Sequence, residues 1–263
     1  MSEATTMAAS FAADVQTFAA AGFRAMEVWL TKLETHLEKH SLADTRKLLE
    51  DQQMTLAAAS YQGGLLLSQG EQRKVHFDHF RKRLELCQSL GIPLLLVIAD
   101  FTGEINSTCV SRALVSLKQA AQWAAGFDVR LGLEFRSSFA FCTSLDTALA
   151  LVRQSAEPNL GICFDLFHYY TGPSKLEDLK LLTKETLSLV QVCDLAGVAR
   201  ELARDADRIL PGDGDFQLDP IFERFREIGY NGYVSVELMN PILWGMKGSQ
   251  VAEMGMKALS RFI

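Results

Sequence analysis

The sequence predicts an α/β protein folded as a (β/α)8 barrel. The chain has 263 residues, against about 250 for a typical barrel of this kind. Short apolar runs alternate with amphipathic segments along its whole length, a pattern typical of parallel strands joined by helices. Several runs carry an oxygen-bearing side chain near their C-terminal end, where such barrels keep their active sites. We therefore expect one domain over residues 1–263, with an open doubly wound sheet as the alternative.

Eight strands are predicted, because eight runs of apolar residues have strand length. The first begins almost at the start of the chain, and the fourth begins at a proline, where the missing N–H does least harm. In order they are Ser2–Thr6, Ala25–Leu30, Met54–Ser60, Pro93–Ala99, Val129–Phe135, Asn159–Phe164, Leu187–Cys193 and Gly232–Leu238.

The segments between these runs have helical periodicity and helix stop signals. Gly22 and Gly91 end two of them, since glycine adopts the left-handed conformation that follows many helices. A long polar loop, Leu195–Gln217, is the exception. The predicted helices are Ala8–Ala21, Ser41–Asp51, Val75–Leu90, Cys109–Gly126, Ser144–Ala156, Ser174–Thr183, Leu218–Ile228 and Gly248–Ile263.

Composition narrows the range of partners. The net charge of −6 gives no basic surface for a nucleic acid, and no GxGxxG or Walker loop follows an early strand. No apolar run approaches the roughly 18 residues that a membrane helix needs. The five cysteines show no CxxC spacing, which favours buried thiols in a reducing compartment. We expect a soluble cytoplasmic protein with a small-molecule substrate; a homo-oligomer remains open.

Four neighbouring strands each place a polar side chain near the C-terminal end: Glu134, Asp165, Gln191 and Glu237. Unpaired buried charges are costly, so a sealed core would not select these residues. Three carboxylates at one barrel mouth would repel each other without a cation. The all-oxygen set favours one Mg²⁺ or Mn²⁺ ion, with Zn²⁺ as a further possibility. For Asp165 alone, the alternative is the N-cap of a following helix.

Five motifs around these residues carry a family resemblance over essentially the whole chain. They are Leu-Gly-Leu-Glu134-Phe, Phe-Asp165-Leu-Phe-His168, Val-Gln191-Val-Cys-Asp194, Asp-Arg208-Ile-Leu-Pro-Gly-Asp-Gly-Asp-Phe216 and Tyr-Val-Ser-Val-Glu237-Leu. The chain resembles the xylose-isomerase-like TIM-barrel superfamily, the sugar phosphate isomerase/epimerase group. That group includes ketose 3-epimerases, inosose-metabolising enzymes and 3-dehydroshikimate dehydratases.

The resemblance implies roles for the motif residues. In epimerase-type members the matching Glu, Asp, His and Glu hold one divalent metal, and both glutamates also transfer protons. These positions correspond here to Glu134, Asp165, Gln191 and Glu237, so Gln191 stands where His is usual, as in certain dehydratases. The resemblance further implies that His168 and Arg208 contact substrate. The Phe-Arg-Ser-Ser segment after Glu134 differs from the aromatic, His-bearing segment of those dehydratases.

Three more residues are substrate-binding candidates by position. Lys32 and Arg136 each follow a predicted strand closely and carry a cation suited to a carboxylate or phosphate. Trp29 shares a strand face with Glu27, and either side chain is close enough in sequence to reach the mouth, although core filling explains them equally well. The other histidines lie on solvated helix faces, which disfavours the three-metal site of the endonuclease-IV branch.

The expected function is a metal-dependent isomerase or epimerase of a sugar or related keto-polyol. It would act through a metal-stabilised enediolate, with Glu134 and Glu237 as acid/base groups. A metal-dependent dehydratase of an inosose- or dehydroshikimate-like ketone shares the same enolate chemistry and is the alternative. A non-catalytic polyol-binding barrel is the alternative from another class, and the two intact glutamates argue against it.

Overall fold

The sheet is parallel and follows the order of the chain. A computed structural model describes all 263 residues. Seven strands pair with their sequence neighbours in the order β1 to β7, which is the (β/α) barrel arrangement predicted above. The strands are β1 Ala25–Trp29, β2 Thr55–Gln62, β3 Leu94–Ile98, β4 Arg130–Glu134, β5 Leu160–Asp165, β6 Leu187–Val192 and β7 Val234–Val236.

Ser2 bridges the remaining gap between the last and first strands. Its backbone pairs with Glu27 of β1 in a parallel bridge, and its N–H donates to Val236 O of β7 over 2.9 Å. The prediction of a full strand over Ser2–Thr6 was therefore wrong beyond its first residue. Glu3–Thr6 forms a 3₁₀ turn instead, because the Ser2 hydroxyl accepts a hydrogen bond from the Ala4 N–H and caps it.

Helices follow the strands and cover the outside of the barrel. None of these helices combines the length and the hydrophobicity of a membrane-spanning segment. The helices are α1 Phe11–Ala20, α2 Leu30–Leu37, α3 Leu42–Asp51, α4 Gly70–Leu90, α5 Ser107–Ala125, α6 Leu145–Ser155, α7 Leu166–Thr171, α8 Leu218–Glu227, α9 Pro241–Trp244 and α10 Gly248–Leu259. The helix predicted at Ser174–Thr183 is only a 3₁₀ helix over Leu176–Leu181.

The inside of the barrel is closed by a small apolar plug. It consists of five buried residues, which are Ala58, Leu94, Leu96, Cys163 and Leu189. Gly132 belongs to the same layer, since a Cβ there would lie 2.9 Å from Leu96 Cδ2. Larger side chains at this level would not fit between the strands. The polar residues at the strand ends therefore lie above a layer of apolar side chains.

Hydrogen bonds to the Asp194 carboxylate hold the backbone of the polar loop predicted at Leu195–Gln217. The Asp194 carboxylate accepts backbone N–H bonds from Leu195 at 2.8 Å, Gly212 at 2.9 Å and Phe216 at 2.9 Å. A carboxylate that receives several N–H donors fixes the backbone around it. The anchored loop lies over the open end of the barrel.

Candidate active site

The parallel register brings the four predicted strand-end residues to one place. Asp165 is the partner of Gln191 across β5 and β6, and Glu134 ends β4 one strand away. Glu237 follows β7 directly. All four side chains are buried, with exposures of 0 to 4%. Parallel strands end at the same edge of a sheet, which explains why residues far apart in sequence converge here.

Asp165 has both of the roles that its position allowed. Its Oδ1 accepts the Phe167 N–H at 2.7 Å and caps α7. Its Oδ2 faces the site, where it accepts a hydrogen bond from Arg208 Nη2 at 2.8 Å. The cap fixes the carboxylate plane, because one oxygen is committed to the helix. The second oxygen is thereby aimed at the site.

His168 is one turn into α7 and faces the carboxylates. Its Nε2 lies 3.6 Å from Glu134 Oε1 and 3.7 Å from Asp165 Oδ2. Burial, with Arg136 and Arg208 nearby, lowers the pKa of His168 well below its ordinary value, so the imidazole is neutral. Nε2 accepts from Arg208, which leaves the proton on Nδ1.

The proton on His168 Nδ1 is directed to Ser137. Nδ1 donates to Ser137 Oγ over 3.2 Å, and Ser137 Oγ is 2.8 Å from Thr171 Oγ1. A histidine that ligates a metal commonly donates its other N–H in this way, which fixes the ring and the tautomer. Ser137 was not singled out in the sequence, where nothing marks it as a partner of a residue on another element.

Gln191 joins two acidic residues. Its Nε2 donates to Glu27 Oε1 at 2.7 Å and to Glu237 Oε1 at 3.0 Å, while its Oε1 accepts from the Cys163 thiol at 3.1 Å. Reversing the amide would turn its oxygen toward two carboxylates. The amide oxygen thus points away from Glu237, and a metal-ligand role for Gln191 stays a prediction.

Glu27 is a fifth buried acidic or amide side chain in this group. It lies on β1, is 1% exposed, and also accepts a short hydrogen bond from Ser60. Its Oε2 is buried without a hydrogen-bond partner. Burial raises the pKa of Glu27, against the effect of its hydrogen bonds. The sequence left open whether Glu27 reached the mouth or filled the core; the structure links it to the site through Gln191.

Arg208 brings a cation from the loop into the middle of these acids. Its Nη1 donates to Glu237 Oε2 at 3.1 Å, and its Nη2 to Asp165 Oδ2 at 2.8 Å. Asp205, on the same loop, accepts from its Nε at 3.1 Å. The side chain is 1% exposed, and its guanidinium carbon lies 4.5 Å from the Phe167 ring centre. Burial alone would lower the pKa of Arg208, but the surrounding acids raise it well above its usual value.

Arg136 lies at the edge of the same cluster. Its Nη1 is 3.3 Å from Glu134 Oε1, and its Nη2 is 3.3 Å from Asp205 Oδ2. Asp205 therefore accepts from both arginines. Its pairing with Arg136, 69 residues away, had no sequence signal.

The two glutamates have raised proton affinities. Burial raises the pKa of Glu134 to about 7, although the Arg136 cation opposes the shift. Burial, together with the charge of Glu27, raises the pKa of Glu237 well above its usual range. A carboxyl group with a pKa near neutrality can both accept and return a proton.

The two remaining candidates, Lys32 and Trp29, have no hydrogen bond or ion pair with the four strand-end residues. The Lys32 ammonium forms a short ion pair with Asp14 and donates to Thr6 O at 3.1 Å. Lys32 is therefore not part of the cluster of strand-end residues.

Trp29 packs edge-on against Tyr61 with ring centres 5.3 Å apart, and both line a cavity of about 280 Å³ at the ends of β1 and β2. Trp29 thus lies at the barrel mouth, beside Ser60 and its partner Glu27.

The donor set fits a divalent cation. Glu134, Asp165 and His168 each offer one ligand atom, and these atoms lie within 4.8 Å of one another. Glu237 is the adjacent carboxylate, held to Asp165 through Arg208. Carboxylate oxygens and a neutral imidazole nitrogen are ordinary ligands of Mg²⁺, Mn²⁺ and Zn²⁺. His168, expected to contact substrate, is thus also placed as a ligand candidate.

A family model for the xylose isomerase-like TIM barrel matches residues 15–261. The chain belongs to this family. Among curated relatives, the inosose isomerase of Bacillus velezensis is 26% identical over 91% of this chain and 87% of its own length. The 3-dehydroshikimate dehydratase of Pseudomonas aeruginosa is 26% identical over 86% of this chain but only 36% of its own length. These relatives support an enzyme of the xylose isomerase-like superfamily.

Solved structures of the xylose isomerase-like fold superpose closely. The IOLI protein, solved with a zinc atom, has a TM-score of 0.94 at 21% identity and covers 100% of this chain and 98% of that one. A D-psicose 3-epimerase solved with D-fructose has a TM-score of 0.76 at 18% identity, covering 96% of this chain and 92% of that one. Both confirm the predicted fold. The zinc of the IOLI protein and the Glu134–Asp165–His168 cluster are consistent with a divalent metal site.

Proposed function

We propose that this protein is a divalent-metal-dependent isomerase or epimerase of a sugar or related keto-polyol. The observation that carries the proposal is the pair of buried glutamates, Glu134 and Glu237, both with raised pKa values. They end β4 and follow β7, with Asp165 and Gln191 on the two strands between them. One substrate between them would have a carboxyl group on either side.

In this proposal the glutamates move protons at the carbon beside a carbonyl group. Glu134 or Glu237 removes the proton from one face, and the other glutamate returns a proton to the opposite face, which inverts the carbon. When bound, the ion would supply a Lewis acid for the negative charge that develops on the substrate oxygens. We assign it to Glu134, Asp165, His168 and Glu237, with Gln191 retained as the predicted further ligand.

The remaining polar groups would bind and orient the substrate. Arg208 and Arg136 have planar guanidinium groups suited to paired substrate oxygens. Trp29 offers an aromatic wall for the C–H face of a polyol. His168, if it ligates the ion, would contact substrate only through it. The substrate role predicted for Lys32 stays a prediction, since its ammonium is paired with Asp14.

A dehydratase of a cyclic keto-polyol is the second candidate. It is favoured by relatives named 3-dehydroshikimate dehydratase and by Gln191 at the position where the resemblance implies that some dehydratases have Gln. Both reactions begin with removal of the same kind of proton. They differ in whether a hydroxyl group then leaves. Inosose isomerases among the relatives favour the isomerase.

A panel of ketoses and inososes with Mn²⁺ in D₂O, followed by NMR, tests the proposal. An isomerase or epimerase incorporates deuterium beside the carbonyl and forms a product of unchanged mass apart from deuterium. A dehydratase forms a product lighter by one water. Binding without exchange for every compound would favour the polyol-binding protein.

A further inference from the structure

We propose that Arg208 is a resident cation of the site that competes with the divalent ion. It holds Asp165 and Glu237 together while no ion is bound, and it withdraws to Asp205 when an ion enters. The inference rests on the proposed function only in taking the site to bind a divalent ion. It assigns a positioning role to Arg208 beyond contact with substrate.

The guanidinium group contacts two of the atoms that would bind an ion. Arg208 Nη2 is 2.8 Å from Asp165 Oδ2 and 3.4 Å from His168 Nε2, and these two atoms are themselves 3.7 Å apart. An ion takes such ligands at about 2.0–2.2 Å. An ion bound to both atoms would lie close to Nη2, cation against cation, even where it is displaced toward Glu134 Oε1, which is 3.6 Å from His168 Nε2. The two cations therefore compete for the pair.

Asp205 offers the guanidinium a second place. Its Oδ1 already accepts from Arg208 Nε at 3.1 Å and Nη2 at 2.6 Å. Asp205 is about one-third exposed, and it lies on the loop together with Arg208. Rotating Nη1 and Nη2 away from Asp165 and Glu237 would thus leave the arginine ion-paired. The Phe167 face beneath the group provides a surface along which it can turn.

The exchange also has an electrostatic reason. Asp165, Glu237 and Glu134 are buried together, and buried carboxylates repel each other unless a cation lies between them. Arg208 supplies one positive charge and a divalent ion supplies two. Either cation satisfies the acids, so the binding of one disfavours the other, and the coupling is negative.

Binding of Mn²⁺ alone, measured by calorimetry and by the EPR signal of free Mn²⁺, tests the competition. We compare the wild type with Arg208→Gln and with the matched variant Arg136→Gln, which removes the same charge from the rim of the cluster. Since coupling between ligands commonly amounts to about 5- to 150-fold, Arg208→Gln should bind Mn²⁺ at least about tenfold more tightly. Arg136→Gln should gain clearly less. Equal gains in both variants, or none in Arg208→Gln, would overturn the proposal.

Asp205→Asn provides a second test that keeps Arg208 in place. It removes the withdrawal partner, so Mn²⁺ affinity should fall in the wild-type background and change little in Arg208→Gln, where no arginine has to move. Equal losses in both backgrounds would contradict the mechanism. Mn²⁺ should also increase hydrogen exchange of residues 199–210 in the wild type, and unchanged exchange counts against it.

The Mn²⁺ measurements separate the two proposals. If the wild type and Arg208→Gln bind Mn²⁺ equally well, only the competition is wrong. If neither wild type nor any variant binds it, the metal-dependent function is wrong and the competition falls with it. Mn²⁺ binding that appears only after Arg208 is replaced is the strongest support for a resident cation.

Discussion

Gln191 and Glu27 are joined by a 2.7 Å hydrogen bond from the amide nitrogen to the carboxylate, although 164 residues separate them. The same nitrogen donates to Glu237. One amide thus links the first and last strands through the inside of the barrel. Its first effect is structural, because it satisfies oxygens of two buried acids.

Gln191→Leu should therefore destabilise the metal-free protein. Removing the donor takes one hydrogen bond from each of two buried carboxyl groups, and we expect a loss of about 1–3 kcal/mol in the free energy of unfolding. Urea unfolding in the presence of EDTA measures it. Cys163→Ser, which keeps a donor to Gln191 Oε1, is the control and should cost less. An unchanged midpoint for Gln191→Leu would show that this link contributes little.

Replacing either glutamate by glutamine should abolish turnover while keeping one oxygen ligand. We expect Glu134→Gln and Glu237→Gln each to lose more than the roughly 10²–10⁴-fold typical of one acid–base group, since metal affinity also falls. The losses should not add in the double variant, because both residues serve one path. Steady-state kinetics of Mn²⁺-loaded protein test this.

Deuterium exchange in the same two variants distinguishes the reactions. In an epimerase each single variant still exchanges one substrate C–H, because the other glutamate reaches one face. In a dehydratase with one base only one variant keeps exchange. Full activity in either Mn²⁺-loaded variant would refute the two-glutamate mechanism.

The raised pKa of Glu134 predicts how metal-free stability changes with pH. Its pKa is about 7 in the folded protein and about 4.3 in an unfolded chain. Between these values the folded state binds more protons, so the contribution of Glu134 is fully present below about pH 4.3 and is lost as pH rises through 7. In EDTA, the melting temperature of the wild type should therefore fall relative to that of Glu134→Gln as the pH is raised from 5 to 8. The exposed Glu71→Gln is the control; parallel curves for wild type and Glu134→Gln would contradict the shift.

Asp194→Ala should loosen the loop that carries Arg208. Three backbone N–H groups lose their acceptor, and bonds to a charged group are worth about 1.5–3 kcal/mol each. We expect lower stability and faster proteolysis within residues 195–217. Asp213 lies in the same loop and forms an exposed ion pair with Arg261, outside the loop. Asp213→Ala removes this pair and should change stability by about 0–1 kcal/mol. Equal effects of the two substitutions would show that Asp194 does not anchor the loop.

The fold and the convergence of the strand-end residues could be predicted because they depend on local patterns. Apolar runs define the strands, and parallel register then brings Glu134, Asp165 and Glu237 to one edge without further information. His168 follows from its position one helical turn after Asp165. The helical prediction at Ser174–Thr183 failed because the periodicity there is satisfied equally by a 3₁₀ helix.

Side-chain direction at long range could not be predicted. Nothing in the sequence shows that the Gln191 amide turns its nitrogen toward Glu27, because the two orientations of the amide belong to the same residue and leave the sequence unchanged. The double pairing of Asp205 with Arg136 and Arg208 depends on how a loop folds over the barrel. Glu27 did have a signal, a carboxylate inside an apolar strand, but the pattern alone did not separate core from site.

The apolar plug inside the barrel leaves the loop side as the route to the strand-end residues. The plug consists of Ala58, Leu94, Leu96, Cys163 and Leu189. An ion held by Glu134 and Asp165 would lie beneath any substrate that enters from the loop side. We therefore expect ordered binding, in which the ion enters before the substrate and leaves after the organic product. A chelator added during turnover at saturating substrate would strip the metal more slowly than it does from the resting enzyme.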